Sequence, residues 1–202
     1  MNDGIDLAQA WSAVAEAWEA NAEYIDEHSL EATAALFDRV AVQSGERVLE
    51  LAAGPGTLGA TWSALVGSSG AVVLSDIAPG MVEVARHRNS DLANVITAVI
   101  DAAAIDQPDG SFDVVACRMG LMFTPEPSIA LTEMYRVLRP GGRLGALTWA
   151  GIEHNPWLTC VGMAPWPTAS SAEDRRSAQA TSSPSATQQN SRGSQKAPGS
   201  SM

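Results

Sequence analysis

The stretch Val48-Leu49-Glu50-Leu51-Ala52-Ala53-Gly54-Pro55-Gly56-Thr57-Leu58-Gly59 decides the fold. Its opening residues, apolar but for Glu50, read as a short strand. Its last six residues spell Gly-x-Gly-x-x-Gly. Glycine lets a backbone turn sharply and approach a ligand closely. A strand followed by such a turn points to a nucleotide-like ligand, against the plainer alternative of an ordinary strand–helix connection. The literal spacing is that of a dinucleotide-binding turn, so an NAD-dependent oxidoreductase is one reading of it.

Strand and helix patterns alternate downstream. Ala71–Asp76, Asn94–Asp101, Phe112–Arg118 and Gly142–Trp149 read as strands. Ala78–Arg88 and Glu126–Leu138 read as helices, the second stopped by Pro140-Gly141-Gly142. Upstream, residues 5–42 read as helical, with Trp11, Val14 and Trp18 on one face and Ser29 expected to cap a second helix from Leu30. The expected class is α/β: a doubly wound sheet of about five parallel strands, covered on both faces and preceded by N-terminal helices. Ligands then bind beyond the C-terminal strand ends, where the strand order reverses.

Two acids fall at such ends, and a third lies within the first strand. Asp76 closes the second strand, 20 residues after Gly56, where a carboxylate accepts from both ribose hydroxyls; a capping or solvent-facing Asp is the alternative. Asp101 closes the third strand and, with the backbone of Ala102, is placed to receive the exocyclic amine of adenine, unless it is a turn Asp. Glu50 lies inside the first strand, where a buried carboxylate must be bonded. It is expected to bond backbone N–H groups of the glycine loop and to attract a cationic ligand group. NAD offers no such cation there.

The formal charge is −11, and residues 1–162 alone carry −13. That balance argues against nucleic acid and anionic membranes as partners. Cys117 and Cys160 fit neither a metal knuckle nor a redox pair and read as free thiols of a reducing cytoplasm. No signal peptide and no membrane span are legible in the sequence. Trp11, Trp18 and Tyr24 read as lid packing rather than a cage around a cation. His28 and His87 read as solvated, and His154 as the one candidate base.

The segments Val48–Gly59, Val72–Arg86, Phe112–Phe123 and Glu133–Trp149 together resemble the successive motifs of class I S-adenosylmethionine-dependent methyltransferases, in the branch with the ubiquinone/menaquinone-biosynthesis C-methyltransferases. The resemblance runs over about residues 10–160. It implies a Rossmann-like fold, S-adenosylmethionine as cofactor and methyl transfer to a small organic acceptor. The family loop is acid-x-Gly-x-Gly-x-Gly, here Glu50-x-Ala52-x-Gly54-x-Gly56, so Ala52 departs from it and its methyl is expected to crowd the ligand. By resemblance, Ala52, Gly54 and Gly56 line the methionine part and Asp76 holds the ribose. Met81 packs beside the adenine, whose edge meets Asp101 and Ala102. Arg118 faces the crevice near the methionine end or forms a structural salt bridge, and Gly59 becomes a helix-packing residue.

Residues 165–202 contain ten serines and no Val, Ile, Leu, Phe or Tyr, so a disordered tail is expected there. The resemblance implies a further helix and a strand hairpin in that place, and the tail is expected to be a truncated or frame-shifted form of it. The domains expected are a helical lid over 1–44, an incomplete cofactor-binding core over 45–164 and the tail. Without the hairpin, the fifth strand becomes a sheet edge prone to self-association. The alternative to an active methyltransferase is then an inactive domain of the same fold.

Overall fold

The computed structural model describes residues 6–155. Outside them lie residues 1–5 and 156–202, and with these the expected tail and its frame-shifted reading, Cys160 and Trp157.

Four helices come first: α1 (Leu7–Ser12), α2 (Ala15–Ala20), α3 (Ala22–His28) and α4 (Leu30–Val40). The breaks between them fall at Val14, Asn21 and Ser29, with φ of −110°, −108° and −109°. Two of the breaks have a side-chain cause. Asn21 Nδ2 donates to the Ala17 carbonyl at 2.7 Å, and Ser29 Oγ donates to the Ile25 carbonyl at 2.9 Å. Such bonding back to the preceding turn bends a helix. Ser29 therefore does not cap α4 as expected, because its hydroxyl is turned to α3. Val14 sits at a break and is exposed, whereas Trp11 and Trp18 meet edge to face with centroids 5.8 Å apart.

The strands β1 (Arg47–Leu51), β2 (Ala71–Asp76), β3 (Val95–Val99), β4 (Phe112–Arg118) and β5 (Leu138–Leu147) form one parallel sheet in the order β3-β2-β1-β4-β5. Helices α5 (Gly59–Val66) and α6 (Pro79–Arg88) lie in the connections from β1 to β2 and from β2 to β3; α7 (Pro127–Val137) precedes β5. Side-chain alternation along the strands fills both faces. Val48, Val72, Leu74, Val114 and Ala116 pack with Leu36 and Val40 of α4 and Trp62 and Val66 of α5. Leu49, Leu51, Val73, Val115 and Cys117 pack with Met134 and Val137 of α7. This is the doubly wound α/β class expected.

β5 begins earlier than the sequence suggests. Leu138 pairs with Phe112 and Arg143 with Val114, so Arg139-Pro140-Gly141-Gly142 forms a bulge, with Gly141 at φ +79°. Arg139 is held there by Asp113, and Arg143 by Glu46. The strand order reverses between β1 and β4, which sets the ligand crevice at their C-terminal ends.

The described residues up to Gly151 form one compact unit. The described part of the second, Ile152–Asn155, holds a 3-10 turn in which the exposed His154 ring stands 3.7 Å from Glu153. Among the described residues no helix is long and apolar enough to cross a membrane.

Candidate functional site

The turn after β1 alternates in handedness. Ala52, Gly54 and Gly56 have φ of 51°, 55° and 71°. These are the three positions at which the loop pattern asks for glycine, and the left-handed conformation is the reason, since a Cβ there is strained. Ala52 accepts that strain. Its methyl is directed at Gly120, where an added Cβ would lie 2.2 Å from it, so the missing side chain of Gly120 makes the room.

Asn89, at the end of α6, ties the loop down from behind. Its Nδ2 donates to the carbonyls of Gly56 (3.0 Å) and Ala85 (2.8 Å). Gly56 packs on Ala85 and Asn89, and Gly59 on Asn89 and Leu74, so close that a Cβ on either glycine would collide. Gly59 is a helix-packing residue, as the resemblance implies.

A cavity of about 490 Å³ opens in front of this loop. Ala52, Gly54, Asp76, Met81, Asp101, Ala102 and Arg118 all lie on its wall. Glu50 and Gly56 do not line it. Asp76 is buried; its Oδ2 accepts from Gly54 N (3.0 Å) and its Oδ1 from Ala78 N (2.9 Å). Burial raises its pKa above the usual range, against the lowering effect of those backbone donors. Asp101 is exposed, and its Oδ1 accepts from Ala103 N at 2.8 Å. Met81 is buried among Ala15, Ala78, Trp11 and Trp18, so it joins the cavity wall to the N-terminal helices.

Glu50 does not bond the loop backbone. Its position in β1 shares a face with Val48, which directs it at α5, and its Oε2 accepts from the Trp62 indole at 2.8 Å. Complete burial pushes its pKa up to about 7, although Arg118 and the indole oppose the rise. Cys117 is a buried thiol pushed up to about 11, chiefly by the same desolvation.

The roof is built from the N-terminal helices. Trp11, Trp18, Ile25 and Ser29 line the cavity, with Phe123 against Trp11 at 5.1 Å between centroids. Tyr24 is exposed and lies on His28, whose Nδ1 stands 2.7 Å from the Tyr24 carbonyl. His87 is exposed on α6. Arg118 takes part in both the cavity and an ion pair. It lies on the cavity wall and is paired with Asp26 at 2.8 Å. Its second terminal nitrogen donates to Thr57 Oγ1 of the loop at 2.9 Å, and Thr57 in turn donates to Asp26 at 3.1 Å.

Sequence reasoning missed Asp26, Thr57, Asn89 and Phe123. No local pattern marks Asp26 or Asn89, since their partners lie 92 and 33 residues away. Phe123, by contrast, is an apolar residue shortly after a strand end and was findable as part of the crevice.

Residues 48–142 match the family described as a methyltransferase domain. The ubiquinone/menaquinone biosynthesis C-methyltransferase of Pseudoalteromonas translucida is 40% identical over 116 residues, which cover 56% of this chain and 46% of that protein. Its counterpart from Erwinia tasmaniensis is 42% identical over 118 residues, covering 57% and 47%. The chain thus spans about half the length of the curated relatives it matches. Among solved structures, a SAM-dependent methyltransferase from Aquifex aeolicus is similar with a TM-score of 0.52 and 27% identity, covering 54% of this chain and 58% of that one. The [4+2]-cyclase SpnF is similar with a TM-score of 0.53 and 26% identity, covering 57% and 43%.

Proposed function

We propose that this chain, whose residues 48–142 match a methyltransferase domain, binds S-adenosylmethionine in the cavity beyond β1 and β2 and transfers the methyl group to a small organic acceptor. The carrying observation is the single wall shared by Ala52, Gly54, Asp76, Met81, Asp101, Ala102 and Arg118.

The residues present fit the cofactor. A cavity of about 490 Å³ is within the range of small-molecule sites. Each Asp76 oxygen takes one backbone N–H and keeps lone-pair capacity for a ribose hydroxyl. Ile77, Met81 and Ile100 offer an apolar surface to the adenine, with Asp101 and Ala102 at its edge. A side chain at Gly54 would meet nothing within 4 Å, so the loop leaves that space to the methionine part.

When bound, S-adenosylmethionine supplies an electrophilic methyl on a sulfonium, which needs no protonation to leave. The chain's part is to hold the two reactants in line and to keep water out. Trp11, Trp18 and Phe123 do the second, and residues 1–44 act as the lid of a core that begins at 45. No side chain is assigned as a base. The acceptor is a small molecule, as the names of the curated relatives support, and the protein works in the cytoplasm with neither nucleic acid nor membrane as partner. The outer edge of β5, unpaired among the described strands, is where copies would associate.

Methyl transfer from labelled S-adenosylmethionine to a panel of quinols, phenols and amines tests the reading, beside size-exclusion chromatography. Transfer to one class supports it. Cofactor binding without transfer to any acceptor would select the second reading, a binding domain or a different chemistry. The likeness to a cyclase favours keeping that reading in view.

A further inference from the structure

We infer that Arg118 is a positioning residue: it clamps the N-terminal helices and the glycine loop to the end of β4, and so holds the roof over the cofactor. The inference rests on the cofactor reading above and extends it, because the guanidinium acts through Asp26 and Thr57 rather than by its own charge on the cofactor.

The geometry is a fork. One nitrogen donates to Asp26 Oδ1 at 2.8 Å, with Ser29 Oγ and Thr33 Oγ1 at 3.3 and 3.4 Å. The other donates to Thr57 Oγ1 at 2.9 Å, and Thr57 closes the ring by donating to Asp26 at 3.1 Å. Four separate parts of the chain meet here: the end of β4, helix α3, the start of α4 and the glycine loop. Arg118 is the rigid post, since β4 is paired on both sides by β1 and β5. Asp26 and Ser29 belong to the moving part, next to Ile25, which lines the cavity.

A half-buried ion pair contributes little net stability, because desolvation offsets its attraction. What the fork supplies is direction. A planar guanidinium with five donors fixes two acceptors relative to each other, which an ammonium does not. The roof formed by Trp11–Ser29 has another polar tie, to helix α6, where Ser12 Oγ accepts from Gly80 N at 3.1 Å. Release of Asp26 would therefore free the roof while the sheet stays folded.

The test uses the full chain with Arg118→Met, Asp26→Asn, the double variant and Arg118→Lys. In the ligand-free protein, amide hydrogen exchange over residues 7–33 is expected to quicken about tenfold in Arg118→Met and Asp26→Asn, with β1, β2 and β4 amides unchanged. Affinity for S-adenosylhomocysteine is expected to fall about tenfold in each single variant and no further in the double, with Arg118→Lys between. Unchanged exchange in the roof, or losses that multiply in the double variant, would overturn the inference. If Arg118→Met disturbs the sheet amides, Asp26→Asn decides, as it keeps the shape and removes only the charge. Failure of the unmodified protein to bind S-adenosylhomocysteine would overturn the cofactor reading instead, and the exchange arm would still decide whether the clamp exists.

Discussion

Ala52 is the one residue of the loop that adopts a left-handed backbone without being glycine, and Gly120 has given way to it. The two positions should therefore be coupled. Ala52→Gly removes a strain of roughly 1 kcal/mol and is expected to stabilise slightly. Gly120→Ala alone collides with the Ala52 methyl and is expected to cost about 1–3 kcal/mol. In the double variant much of that cost should disappear, which a denaturant double-mutant cycle measures; simple additivity would refute the contact. Glu50 makes a second residue-scale prediction. Burial holds its pKa near 7 in the fold, above the ordinary 4.5, so the folded state keeps a proton that the unfolded state loses as pH rises between these values. Stability therefore falls across that window, by on the order of 3 kcal/mol once pH exceeds the folded value. Glu50→Gln, which keeps an acceptor for the Trp62 indole and never ionises, should be more stable than the parent at pH 8 and about equal at pH 4.5. Melting curves at the two pH values check this, and an equal difference at both would contradict it.

At the scale of the elements, the loop between β1 and α5 is held from behind by Asn89 at the end of α6 as well as by its own turns. Gly59→Ala places a Cβ about where Asn89 Oδ1 stands, 2.1 Å from an ideal position, and is expected to destabilise by about 1–3 kcal/mol. Asn89→Ala frees the Gly56 carbonyl and should cost a similar amount, about 1–3 kcal/mol. Together they should cost less than the sum, because the shorter side chain admits the new methyl; urea unfolding of the set decides. The strands and the loop were legible because apolar runs, glycine turns and strand-end acids are local signals. Seven of the nine residues expected at the site lie on one wall for that reason. Glu50 was misjudged in its partner because the Trp62 indole reaches it from a helix 12 residues on, across the face that Val48 also occupies. The helix breaks at Asn21 and Ser29 were hidden because neither residue is a strong breaker; each acts through a side chain that bonds the previous turn. The Arg118–Asp26 pair joins residues 92 positions apart, and no periodicity carries that information.

For the whole molecule, the doubly wound sheet places a loop, two strand-end carboxylates and an aromatic roof around one cavity. Gly59 packs on Asn89 and Leu74, which suits a dinucleotide turn as well as a methyltransferase loop. The rival reading of Gly54-x-Gly56-x-x-Gly59 as a dinucleotide turn loses ground on the methyltransferase-domain match over residues 48–142. The central claim is that this cavity holds S-adenosylmethionine with Asp76 on the ribose, and titration calorimetry of the 202-residue chain tests it most directly. S-adenosylhomocysteine is expected to bind with one site per chain and NAD to give no heat. Asp76→Ala, folded by circular dichroism, should bind S-adenosylhomocysteine more weakly by roughly 1.5–3 kcal/mol, the worth of a charge-assisted hydrogen bond. Binding of NAD in preference, or an Asp76→Ala variant with unchanged affinity for S-adenosylhomocysteine, would contradict it.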